Sequence, residues 1–200
     1  MESLNENYWT QRYQRGNTGW DAGDITTPLK TYFKQLSDKN IKILIPGSGN
    51  SYEAAYLFEQ KFANVYIIDV SRHPLLRFSQ QYPEFPPEQI LHQDFFRLDD
   101  TFDLIVEQTF FCALTPSLRP AYAKKMNELL VPHGRLVGLL FDAPLYQDHP
   151  PFGGSTEEYR RYFEPYFHFH TFELSYNSIP PRQGNELFIN LKKKSLGALE

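Results

Sequence analysis

Apolar residues along this chain switch repeatedly between two spacings. Short runs rich in β-branched residues alternate with stretches whose apolar positions recur every three to four residues. Ile41–Ile45, Val65–Val70, Phe102–Glu107 and Arg135–Phe141 are runs of the first kind and predict buried strands. Gln89–His92 predicts a shorter one. Between them, Ala54, Ala55, Leu57, Phe58 and Phe62 mark one helical face, and Ala121, Tyr122, Met126, Leu129 and Leu130 another. Ser71 is placed to open a helix running to about Gln81, which Pro83, Pro86 and Pro87 end. Pro132-His133-Gly134 is placed to stop the Arg119–Leu130 helix. Thr156–Phe163 predicts one more helix. His168–Tyr176 and Glu186–Lys192 alternate as two closing antiparallel strands. Strand–helix alternation of this kind predicts an α/β fold. Its sheet is mostly parallel, covered by helices, with an antiparallel last strand.

The first forty residues lie outside that alternation. Asn7 to Arg15 predicts a short helix with Trp9 and Tyr13 on one face. Gly16-Asn17-Thr18-Gly19 breaks it before Trp20-Asp21. Thr27-Pro28 predicts a cap and first turn for a second helix carrying Leu29, Phe33 and Leu36. Tyr146–Gly154 holds two prolines and two glycines and reads as a loop.

Composition narrows the class. Two hundred residues suit a single domain spanning 1–200, and 41% hydrophobic with 22% charged residues is ordinary for a globular chain. Aromatics reach 16%, which predicts an aromatic core, an aromatic-lined pocket, or both. The net charge is -4, and Lys192–Lys194 is the longest basic run, so no nucleic-acid partner is expected. Cys112 is the only cysteine, which excludes an intrachain disulfide framework and suits a reducing cytoplasm. The N-terminal MESLNENYW is polar, no apolar run reaches membrane-spanning length, and Leu199-Glu200 carries no functional weight.

The chemistry gathers at the first strand's end. Pro46-Gly47-Ser48-Gly49-Asn50-Ser51 follows that strand directly, and glycine there lets a ligand approach the backbone. Asn50-x-x-Glu53 has the spacing of a capping box for the next helix. Asp69 ends the second strand about 20 residues further on, where a carboxylate meets ribose hydroxyls. A plain tight turn with a strand-end cap is the bland alternative. A P-loop needs Gly-Lys-Ser/Thr, and Asn50-Ser51-Tyr52 has no lysine. A dinucleotide fingerprint needs a third glycine where Tyr52 stands. S-adenosylmethionine requires the open turn and the ribose carboxylate without an anion nest. Asp94-Phe95, just past the third strand, would then meet the adenine end. An oxidoreductase on a nucleotide fold and a non-catalytic cofactor-binding protein stand as other readings.

Several segments together resemble a known family. They are Trp9-x3-Tyr13-x6-Trp20-Asp21 with Thr27-Pro28, Ile45-Pro46-Gly47-Ser48-Gly49, and Phe102-Asp103-Leu104-Ile105. Further along stand Phe110-Phe111-Cys112-Ala113-Leu114, Arg119-Pro120-x-Tyr122-Ala123, Pro150-Pro151-Phe152 and Ile179-Pro180-x-Arg182-x-Gly184. The set is similar to the thiopurine methyltransferase-like S-adenosylmethionine-dependent methyltransferases, which include halide, thiocyanate and thiol methyltransferases. The resemblance covers most of the chain. It implies a class I, Rossmann-like three-layer fold with a seven-stranded sheet and one catalytic domain, residues 1–40 being a helical cover. It also implies cofactor contacts at Trp9, Tyr13, Trp20, Gly47, Gly49, Asp69, Asp94, Phe95 and Gln108. Tyr13 stands where such proteins commonly carry a third tryptophan, and Ser48 where they carry cysteine.

A sulfonium cation over indole or phenol faces gains about 0.5–2 kcal/mol, which suits the aromatic set. The acceptor side is expected at Phe110, Phe111, Phe152 and Arg182, with Tyr146 nearby. Asp142, just past the fifth strand, would repel an anionic halide and is a candidate base for a thiol. A small thiol or thiopurine-type sulfur is therefore the expected acceptor, with halide or thiocyanate as the alternative. No metal is expected. A monomer acting on a small molecule, away from membranes, is the expected setting.

Overall fold

The computed structural model describes residues 4–195; Met1–Ser3 and the last five residues, Leu199-Glu200 among them, lie outside the described residues. The chain divides into two compact units, one ending at Leu98 and the other beginning at Asp99. Seven strands form one sheet in the order β3-β2-β1-β4-β5-β7-β6.

The N-terminal unit contains α1 (Glu6–Gln14), α2 (Thr27–Phe33), β1 (Lys42–Pro46), α3 (Tyr52–Glu59), β2 (Asn64–Asp69), α4 (Arg72–Gln81) and β3 (Ile90–His92). β1 pairs in parallel with β2, Ile45 opposite Ile67, and β2 pairs in parallel with β3. Ile43, Leu44, Ile67 and Leu57 are fully buried, each stabilising the fold by about 1.5–3 kcal/mol. Parallel pairing brings the C-terminal ends of β1 and β2 to one edge, where the glycine turn and Asp69 meet.

The C-terminal unit contains β4 (Phe102–Gln108), α5 (Arg119–Glu128), β5 (Leu130–Phe141), α6 (Thr156–Phe163), β6 (Phe167–Leu174) and β7 (Glu186–Lys193). β4 and β5 are parallel, while β7 runs antiparallel to both β5 and β6. The expected antiparallel last strand is present, inserted between β5 and β6. Tyr122 and Met126 on α5, Phe163 on α6 and Phe167 on β6 close this core.

Three local expectations give way. Pro132-His133-Gly134 does not separate helix from strand: β5 already begins at Leu130, and the excess is absorbed as a bulge between Phe102 and Leu104 with His133 left-handed at φ 68°. Asn50 does not cap α3. The residue before the helix, Ser51, is itself left-handed at φ 59°, and the Asn50 amide donates to Asp21 instead. The cap position of α2 is Thr26, one residue earlier than expected, with Pro28 in the first turn.

Candidate active site

The turn after β1 alternates left-handed residues: Gly47 at φ 58°, Gly49 at φ 50° and Ser51 at φ 59°. Glycine is required where the ligand-facing backbone takes that shape, since an L side chain there costs roughly 1–2 kcal/mol. Three bonds fix the turn, one within it and two to β2. Ser48 N–H donates to Ile68 O at 3.2 Å, Ser51 N–H donates to Ser48 O at 2.7 Å, and Gly49 N–H donates to Asp69 Oδ2 at 3.0 Å. The other Asp69 oxygen accepts from Ser71 N–H at 2.8 Å. Burial pushes this carboxyl up to about 6, against the pull of the Ser71 and Gly49 N–H donors and of His92. Each carboxylate oxygen has a second lone pair for a ligand hydroxyl. Ser48 Oγ is buried with no hydrogen-bond partner in the turn.

Trp9 and Tyr13 both meet Trp20 edge-on, at centroid distances of 5.6 and 5.9 Å and interplanar angles of 88°. The Arg12 guanidinium lies 5.1 Å from the Trp20 ring centre. The segment is tied down on the same unit. Thr10 Oγ1 meets Ser71 Oγ at 2.8 Å, and Glu6 meets His92 at 3.0 Å. Asp21 accepts from the Asn50 amide and, at 3.3 Å, from the Tyr52 hydroxyl. Tyr52, which removed the dinucleotide reading, thus holds the segment that carries Trp20. Burial, then the charge of Asp69, raises the Tyr13 phenol well above its ordinary range, so it stays a neutral hydroxyl. That hydroxyl lies 2.7 Å from where a Cβ on Gly49 would stand. Gly49→Ala should therefore displace Tyr13 and lower S-adenosylhomocysteine affinity at least tenfold, measured by titration calorimetry.

Asp94 is exposed and caps a 3₁₀ turn, accepting from Phe96 N–H at 2.9 Å. Phe95 is buried and meets Phe96 edge-on.

In the C-terminal unit, β4 ends at the half-buried Gln108, followed by Thr109 in the left-handed region at φ 59°. Phe110 is half-buried, while Phe111 and Phe152 are each 1% exposed. The latter two were expected to line a pocket. They are instead packed in the core, where Phe111 touches Tyr122 and Tyr159 at 5.0 Å each. Arg119 organises this cluster. It is 1% exposed, pairs with Glu158 at 2.7 Å, donates to Gly153 O at 2.7 Å, and lies 4.9 Å from the Phe111 ring centre. Phe152 N–H donates to Cys112 O at 2.7 Å, tying the 146–154 loop to the Phe-Phe-Cys turn. Tyr146 is exposed and its ring lies 4.1 Å from that of His149, tilted by 35°.

Arg182 does not present a free cation. It is buried, pairs with Glu186 at 3.2 Å and lies over the Phe141 ring. Asp142 accepts from Thr156 N–H at 2.8 Å and from Thr156 Oγ1 at 2.9 Å, so both its oxygens hold the start of α6. Both oxygens are thus engaged at the N-terminal end of α6, where the helix dipole favours negative charge.

Glu107 was not singled out from the sequence. It is wholly buried, and its Oε1 accepts from Phe110 N–H at 2.8 Å and Phe111 N–H at 2.9 Å, while Oε2 accepts from the Tyr122 hydroxyl. Two signals pointed to it: an acid inside an otherwise apolar strand, and Gly138 inside the neighbouring one. A Cβ at Gly138 would lie 2.5 Å from the Glu107 Cβ.

Among the described residues, no helix is long and apolar enough to cross a membrane, and no cluster of His, Cys, Asp and Glu is arranged to hold a metal. The N-terminal unit fits S-adenosylmethionine: an aromatic cluster beside the turn, a buried carboxylate for hydroxyls, an unpartnered Ser48 hydroxyl, and a glycine-opened backbone.

Comparison with known proteins agrees. The family model for thiopurine S-methyltransferase matches residues 4–194. A probable thiol methyltransferase 2 of Arabidopsis thaliana is 30% identical over 194 residues, covering 94% of this chain and 85% of that protein. Thiocyanate methyltransferase 1 of Brassica oleracea is 31% identical over 200 residues, covering 96% and 87%. Among solved structures, a Burkholderia thailandensis 1,6-didemethyltoxoflavin-N1-methyltransferase bound to S-adenosylhomocysteine superposes with a TM-score of 0.74 at 16% identity, over 95% of this chain and 87% of that one. A TehB-like S-adenosylmethionine-dependent methyltransferase from Corynebacterium glutamicum gives 0.69 at 20%, over 94% and 98%. At such identities these two show the fold. The chain belongs to the thiopurine S-methyltransferase family and is an S-adenosylmethionine-dependent methyltransferase of class I fold.

Proposed function

We propose that this enzyme methylates a small sulfur nucleophile, a thiol or thiopurine-type sulfur, as one catalytic domain spanning 1–200. The observation that carries this reading is the state of the ionisable groups around the Phe110 turn. Glu107, Asp142, Arg119 and Arg182 are each engaged by protein partners. A site without a free strong base suits a nucleophile that ionises by itself near neutral pH, as thiols do. The bound cofactor supplies an activated methyl group on a positively charged sulfur. The protein's part is to align and desolvate the acceptor. Trp9, Tyr13 and Trp20 offer ring faces to the cation. Asp69 accepts from ribose hydroxyls. Gly47 and Gly49 admit the ligand to the backbone, and the half-buried Phe110 borders the acceptor. A cytoplasmic monomer free of nucleic acid fits the charge, the single cysteine and the small acceptor.

Thiocyanate or halide is a second reading. The objection to it was the charge of Asp142, and that charge is spent on Thr156 and the α6 N-terminus. The relative named for thiocyanate, 31% identical, points the same way. A labelled-methyl screen against small thiols, thiopurines, hydrosulfide, thiocyanate and iodide separates the two. Faster transfer to iodide or thiocyanate than to every thiol overturns the first reading. Asp142→Asn should change thiol turnover less than about threefold; loss of 100-fold or more would restore the general-base role.

A further inference from the structure

The segment that follows β4 is held in a strained shape by one buried acid. Thr109 is left-handed at φ 59°, a conformation a branched residue keeps only where its surroundings enforce it. The enforcing bonds come from Glu107, whose Oε1 takes both the Phe110 and Phe111 N–H groups. Tyr122 of α5 donates to the other oxygen, and the lack of a side chain at Gly138 of β5 admits the Glu107 backbone and Cβ beside it. The geometry is a carboxylate clamp under the turn that carries Phe110.

We propose that Glu107 is a positioning residue for the methyl acceptor: its ionised carboxylate clamps the Phe110–Phe111 backbone, and protonation loosens the clamp and weakens acceptor binding. The proposal rests on the acceptor bordering Phe110, as argued above. Charge-assisted hydrogen bonds are roughly twice as strong as neutral ones, so a protonated acid holds the strained turn less firmly. Burial raises this carboxyl to about 7, against the pull of Tyr122 and the two amides, which puts the switch near neutral pH. The groups facing it do not titrate there. Burial and the charge of Glu107 raise Tyr122 well above its ordinary range and push the Cys112 thiol up to about 12. The guanidinium groups of Arg119 and Arg182 act on Cys112 in the opposite sense.

The test measures KM for 2-mercaptoethanol from about pH 5.5 to 8.5 in the wild type, Glu107→Gln and Tyr122→Phe. Dividing the wild-type values by the Glu107→Gln values cancels ionisation of the thiol. Glutamine mimics the protonated acid, so the variant should sit at the loose plateau at every pH. The ratio should be near one at pH 5.5 and fall about tenfold through neutrality. Tyr122→Phe removes a donor that favours the anion, and should move the transition to higher pH. Parallel wild-type and Glu107→Gln curves overturn the proposal.

A readout independent of turnover is the ¹³C carboxyl signal of Glu107 against the ¹⁵N–H signals of Phe110 and Phe111. Shared titration supports the clamp. A carboxyl that stays ionised to pH 5, or amides that ignore it, overturns it, even where Glu107→Gln does not fold. Absence of wild-type transfer to every acceptor sinks the functional reading instead, and the two failures are thereby told apart.

Discussion

Asp69→Ala should weaken S-adenosylhomocysteine binding about 100-fold or more, and the wild-type affinity should itself fall as pH drops below about 6. The first effect follows from a hydrogen bond to a charged group contributing about 1.5–3 kcal/mol, which the proposed role of Asp69 would place at two ribose hydroxyls. Alanine also strips the Gly49 and Ser71 N–H groups of their acceptor, so the turn loses its shape together with its ligand. The second effect follows from linkage. Burial raises this carboxyl from 3.8 to about 6. Its ionised form therefore opposes folding: stability from this group is greatest below about pH 4 and declines as pH rises to about 6. Ligand hydroxyls that donate to the carboxylate favour the anion, so binding releases a proton and strengthens as pH rises through that range. Titration calorimetry from pH 5 to 8 in two buffers of different ionisation enthalpy reads both the affinity and the released proton. Asp69→Asn should bind weakly with no such release. Unchanged affinity in Asp69→Ala would remove the residue from the cofactor site.

The fold was legible because strands announced themselves by apolar runs or by alternation, and helices by apolar spacing or by their caps and breakers, all of them local signals. Thr156–Phe163 falls where the pattern placed it. What the sequence concealed were choices made by partners far away in the chain. Asn50 carries the spacing of a capping box, but Asp21 competes for its amide from 29 residues upstream. Asp142 stands past a strand end like a catalytic acid, yet Thr156 takes both its oxygens. Arg182 looked like an anion trap until Glu186, on the strand that follows, neutralised it. Phe111 and Phe152 carried the resemblance, but a motif does not say whether a ring faces ligand or core. Glu107 was the most informative omission. A charged residue in an apolar strand is a conflict between local pattern and burial, and such conflicts mark places where the fold stores strain or function.

Arg119→Met should destabilise the protein by about 2–4 kcal/mol, lower its melting temperature by roughly 5–15 °C, and raise the acceptor KM while leaving S-adenosylhomocysteine affinity within about threefold. The guanidinium is buried, so its charge is tolerated only through its partners: Glu158 at 2.7 Å, the Gly153 carbonyl at 2.7 Å, the Phe152 carbonyl at 3.4 Å, and the faces of Phe111 and Tyr159. Methionine keeps much of the volume and all of the apolar contact. What it removes is the pair with Glu158 and the hold on Phe152 and Gly153, two carbonyls in the 146–154 loop. That loop has little other freedom. A Cβ on Gly153 would lie 2.3 Å from Leu145 N, and one on Gly154 would lie 2.3 Å from the Tyr159 hydroxyl. A further tie to the acceptor turn is the bond from Phe152 N–H to Cys112 O. Releasing the loop therefore disturbs the turn bearing Phe110 without touching Asp69 or the glycine turn. Arg119→Lys should recover little, because an ammonium reaches one of these partners at a time while the planar fork reaches three. Thermal melting with and without S-adenosylhomocysteine, beside steady-state KM for a thiol, separates the outcomes. A melting temperature within 2 °C of wild type would deny Arg119 its place as the anchor of the loop. An equal loss of cofactor and acceptor affinity would mean that its removal unsettles the whole chain rather than the acceptor side.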